Sequence, residues 1–151
     1  MQISDKRSKI NFRSLIWHAV FLALASNFMD IDTIIPSMLI KAGGTAFHLG
    51  LLTAIMLGGS KIFQLIFASS ISKQIYKKKF LLIGINLRFV ALVALAFLLY
   101  NSNTINNNLI IILIFILISI FALGGSYSAI SYNDILGKSV KQESRKHFFS
   151  L

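Results

Sequence analysis

Four long apolar runs, separated by short polar patches, organise the sequence. Their apolar residues do not recur at three- and four-residue spacing, as they would on a surface helix with one polar face. They fill whole stretches on all sides. The runs are residues 14–39, 48–70, 80–100 and 109–133, and the last opens with fifteen residues that are apolar except for Ser119. Each is long enough for about 30 Å of hydrocarbon at roughly 1.5 Å of rise per residue. Lipid satisfies no bare backbone N–H or C=O, so such segments must be helical. The pattern predicts an all-α integral membrane protein with four transmembrane helices. A basic tail over residues 1–13 precedes the membrane region at 14–134, and a charged loop over 135–151 follows it.

The breaks fit this reading. Ala42-Gly43-Gly44-Thr45 marks a short turn between the first two runs. Asn101 to Asn108 is a mostly polar, uncharged connection between the third and fourth. A basic start, an apolar stretch from Leu15 to Leu24 and then small residues at Ala25 and Ser26 also fit a secretory signal. More apolar runs follow, not a soluble domain to export, so a first span is preferred.

Composition agrees: 56% of the 151 residues are apolar and 13% charged, too few charges to cover so much apolar surface in water. The net charge of +10 would point to nucleic acid on a soluble chain. Its placement points elsewhere. Lys6, Arg7, Lys9 and Arg13 precede the first run. Lys73, Lys77, Lys78 and Lys79 separate the second and third, and Lys138, Lys141, Arg145 and Lys146 follow the fourth. The alternate connections carry Lys41 alone. This is the positive-inside signature of an even number of spans, with both termini cytoplasmic and the chain in the inner membrane. The lipid bilayer is the expected partner and nucleic acid is not.

Candidate chemistry is sparse. The chain has no cysteine, which excludes disulfides and thiolate sites. His18, His48 and His147 lie far apart without metal-ligand spacing. No catalytic triad, metal cluster or phosphate-cradling loop is present in the sequence, so neither an enzyme nor a bound cofactor is expected.

Polar groups at membrane depth are the remaining candidates, because charge there is costly. In the first run Ala19, Ala23, Ser26, Asp30, Thr33 and Ser37 share one small or polar helix face. Asp32 is roughly 200° away at about 100° per residue and belongs to an outer position. Lys61 lies about 13 Å of helix from the basic end of its span. That is deeper than a lysine readily snorkels. Asp30 is its expected partner, with Gln64 close by and Asn86 a weaker member of the same polar interior. Arg88, about 12 Å into the third span, follows Leu81 and Gly84 and precedes Ala91 and Leu95 on one stripe. Asp134 is its expected partner. Asp30, Lys61, Gln64 and Arg88 are therefore candidates for a substrate or ion pathway. Gly124 with Ser128, and Gly125 with Ala129, mark tight helix packing.

The order of these features resembles a major facilitator superfamily transporter. It has an acidic first span ending Asp30-Ile31-Asp32-Thr33-Ile34-Ile35-Pro36, then Leu49-Gly50-Leu51-Leu52 opening the second. A short basic loop and a glycine-rich fourth span follow, then Glu143-Ser144-Arg145-Lys146-His147-Phe148-Phe149-Ser150-Leu151 as the approach to a fifth. The resemblance covers the whole chain but only the N-terminal third or so of such a transporter. In the signature loop, the family's first glycine, aspartate and second glycine read Ser69, Lys73 and Tyr76 here. The resemblance implies a cytoplasmic gate, with Lys73, Lys77, Asp134 and Arg145 as candidates and Asp134 standing in as the acidic member. It also implies alternating access around a midplane site. The expectation is thus an N-terminal fragment of a secondary transporter for a small solute, with or without a coupling ion, completed by the remaining helices of a longer chain. The rival is a complete four-span protein: a small dimeric exporter, or a non-transporting subunit.

Overall fold

The computed structural model describes residues 5–30 and 32–139, and among them the regular elements are all helical. We label them α1 (Asp5–Phe28), α2 (Ile34–Lys41), α3 (Ala46–Ser72), α4 (Lys78–Tyr100) and α5 (Asn107–Ser139). Helices α3, α4 and α5 are long and apolar enough to cross a membrane, consistent with a multi-pass membrane protein.

The first run differs from expectation. Instead of one helix over 14–39, the chain makes α1, a joint, and then α2. Asp30 causes the break. Its Oδ1 accepts hydrogen bonds from the Asp32 N–H (2.8 Å), the Thr33 N–H (2.8 Å) and the Thr33 hydroxyl (3.0 Å). A short acidic side chain that bonds the next backbone donors competes with helix continuation and favours a cap. Pro36 sits in the first turn of α2, where its missing N–H would have had no intrahelical acceptor. From Ser14 to Phe28, α1 rises about 21 Å, short of the roughly 30 Å a bilayer requires. Helix also extends beyond the expected limits at both ends: α1 begins within the basic tail, at Asp5, and α5 runs on to Ser139.

The turn after α2 is closed by glycine. Gly43 adopts φ +84°, and the Gly44 and Gly43 N–H groups donate to the carbonyls of Leu39 (2.7 Å) and Ile40 (2.9 Å). This is a left-handed helix cap that few other residues adopt without strain. The Thr45 N–H then donates to His48 Nδ1 at 2.9 Å, so His48 serves to start α3.

Helix α5 is the centre of the bundle: 44% of its span is buried, against 22% for α4 and 6% for α3. The apolar core occupies the asparagine-loop half. There Ile35 and Leu39 of α2, Leu52 of α3 and Leu95 of α4 surround Ile114 and Ile118 of α5. Toward the lysine loop the core gives way to small and polar residues. A Cβ on Gly84 would lie 2.5 Å from the Gly124 carbonyl oxygen and 2.8 Å from the Ser128 nitrogen, and closer still to the Ser128 hydroxyl. Backbones thus touch where α4 crosses α5, as small residues permit. Midway along α3, Ala54–Gly59 forms a π turn, a widened segment often found at functional sites. Just beyond it the Ser60 carbonyl accepts a 2.9 Å hydrogen bond from the fully buried Ser126 hydroxyl of α5.

Candidate functional site

A cavity of about 430 Å³ lies between α1, α4 and α5. Helix periodicity builds its walls. His18, Leu22 and Ala25 recur at spacings of about four and three on one face of α1, and Gly125, Ser128/Ala129 and Tyr132 do so on α5. Ile85, Arg88, Phe89 and Leu92 supply the α4 wall.

Arg88 carries the only formal charge in the lining. Its guanidinium carbon sits 4.1 Å from the centre of the Phe121 ring, and one Nη donates to the Ser26 hydroxyl at 3.2 Å. Its Nε is buried without a partner among the described residues. A centrally placed arginine costs about 2.5–3.5 kcal/mol to insert into a membrane. A desolvated cation–π contact offsets about 2 kcal/mol of this. The ring and one neutral hydrogen bond thus hold Arg88 in place without neutralising it.

Three other polar atoms of the lining residues also lack partners among the described residues. The His18 ring stacks on Tyr132, with centres 5.0 Å apart. His18 Nδ1, the Tyr132 hydroxyl and the Ser128 hydroxyl are buried with no partner among the described residues. Native interiors leave few such atoms, and ordered water or a ligand ordinarily completes them. A second hollow of about 640 Å³ lies at the asparagine end, between α2, α4 and α5, with Lys41 as its charged residue. None of the buried unpartnered atoms falls there.

The expected pairs are not formed. Asp30 is occupied as the cap of α2, and Lys61 is exposed on α3. No salt bridge joins them among the described residues. The break at Asp30 redirects its carboxylate to the local backbone, which depth counting along a regular helix could not foresee. Arg88 does not meet Asp134 either. Asp134 pairs instead with Lys77 of the lysine loop (3.1 Å) and Lys138 of its own helix (2.8 Å). The Lys77 side chain is only 10% exposed, so the loop is tied closely to the end of α5. Lys73 is exposed, and Arg145 lies outside the described residues. Gln64 is half-buried on α3 and does not line the cavity. Gly124 and Ser128 form the helix crossing. Gly125 instead belongs to the cavity wall, and a Cβ added there would have nothing within 4 Å.

Sequence reasoning missed His18 and Tyr132, and read Ser128 for packing alone. The available signal was His18 on the same α1 face as Leu22 and Ala25, and Tyr132 one turn beyond Ser128. No protein-family profile, curated protein or solved structure matches the chain.

Proposed function

We propose that the chain is a four-span membrane unit that forms part of a solute pathway in a secondary transporter. The carrying observation is the cavity: it lies between otherwise apolar helices, and Arg88, His18, Ser128 and Tyr132 are among the residues that line it. Structural ion pairs need no cavity, and polar interiors of membrane bundles are usual where a solute or water passes. In this reading α1, the Asp30 joint and α2 together make the first span. The distribution of basic loops supports a cytoplasmic side for both termini and the lysine loop. The Lys77–Asp134 pair then stands at the cytoplasmic mouth and serves as a gate contact. The order of features shared with the major facilitator superfamily supports alternating access as the mechanism.

Proteoliposomes carrying the chain, together with any helices with which it assembles, test this. Incubated with a mixed extract of small metabolites and read by mass spectrometry, they should accumulate at least one solute above empty vesicles. Arg88→Gln should abolish that accumulation. Equal content in protein-bearing and empty vesicles would refute the proposal.

A further inference from the structure

Resting on the reading of the cavity as a solute site, we infer that its ligand is a small organic anion with an apolar body, its carboxylate or equivalent held by Arg88. Charge is the first argument. Arg88 is the lone formal charge in the lining, and among the described side chains no carboxylate reaches it. Asp30 is held by the α2 backbone, and Asp134 by two lysines. A guanidinium has donors only, so its free Nε requires an acceptor. Arginine's planar fork also suits a carboxylate better than a point acceptor.

The surrounding atoms agree. The Ser128 and Tyr132 hydroxyls donate, and His18 Nδ1 donates in one tautomer or when the ring is charged. The rest of the wall is apolar: Phe21, Leu22, Ile85, Phe89 and Leu92. That division suits a molecule with one anionic end and a hydrocarbon or aromatic body. The volume of about 430 Å³ matches sites that hold small organic ligands. An inorganic anion would leave the apolar wall unused.

Binding is measured by equilibrium dialysis on the full chain in phosphatidylcholine nanodiscs. The probes are radiolabelled benzoate and its neutral isostere benzamide. Benzoate should bind at least about tenfold more tightly than benzamide, because only the anion answers the charge. Arg88→Gln should weaken benzoate by roughly tenfold to a hundredfold and leave benzamide unchanged. Tyr132→Phe, which keeps the ring and its stack on His18, should weaken benzoate by about twofold to tenfold and guards against misfolding of the arginine variant. Equal affinity for benzoate and benzamide overturns the anion assignment while leaving a solute site. Displacement of benzoate by phosphatidylglycerol in the nanodisc overturns it in favour of a lipid headgroup. Absence of binding by both probes overturns it together with the solute-site reading.

Discussion

Adding one methyl group to Gly84 should separate two helices, whereas the same change at Gly125 should not. A Cβ at Gly84 would meet the Gly124 carbonyl oxygen at 2.5 Å and the Ser128 nitrogen at 2.8 Å. Relaxed contacts between such atoms lie near about 3.5 Å, so α4 must move away from α5 by about 1 Å. The obstructing atoms are backbone and cannot rotate aside. Overpacking of this kind costs about 1–3 kcal/mol. It also shifts Arg88, one helical turn further along α4, relative to Ser128, so the cavity changes shape as well. Gly125, next to Gly124 on α5, has open space where its Cβ would go. Gly125→Ala should change stability by less than about 0.5 kcal/mol. The assay is reversible unfolding in mixed micelles, followed by far-ultraviolet circular dichroism. A drop in midpoint for Gly84→Ala with none for Gly125→Ala is expected. Equal effects from both changes would show that the close crossing is not what holds α4 to α5.

Three further outcomes follow from the contacts. Asp30→Ala and Lys61→Gln should affect folded yield independently, and the double variant should show the sum, because the two side chains are not partners; recovery in the double variant would show that they pair after all. Ser126→Ala should cost about 0.6 kcal/mol, the average for a hydrogen bond between membrane helices, by removing the bond to the Ser60 carbonyl, and denaturation in micelles measures it. Cysteines placed at Ser72 and at Asn106 in this cysteine-free chain should react with impermeant thiol reagents from opposite sides of sealed vesicles; reaction of both from one side would refute the orientation.

The helical character of the chain, and the stretches that became α3, α4 and α5, were legible because a bilayer-length apolar run has no other stable conformation. Gly124 and Ser128 stood out because small residues four apart let backbones meet, and Gly84 was marked as a small residue on the Arg88 stripe. The break at Asp30 was not foreseen, although Asp30, Asp32 and Thr33 interrupt the apolar run there. It depends on one carboxylate choosing its neighbouring N–H groups over a distant lysine, a local competition that depth counting ignores. The cavity escaped for a different reason. Its members His18, Arg88 and Tyr132 are scattered in sequence, and only Arg88 stood out, while His18 and Tyr132 look ordinary on their own helices. Only the way α1 and α4 approach α5 makes them neighbours. The Lys77–Asp134 contact lies between these cases, since the acid was marked but its geometry depends on how tightly the loop folds back.

The central claim is that the cavity between α1, α4 and α5 admits water and solute from within the membrane region. Ala129→Cys places a thiol on its wall, and thiols react with methanethiosulfonate reagents only where water ionises them. Phe97→Cys is the control, at a position 69% exposed on α4 that does not line the cavity and would face lipid. In sealed membrane vesicles a charged, impermeant reagent should modify the thiol at position 129, more slowly when benzoate is present, and should leave the thiol at position 97 untouched. An unreactive thiol at position 129, or equal reactivity at the two positions, would contradict the claim.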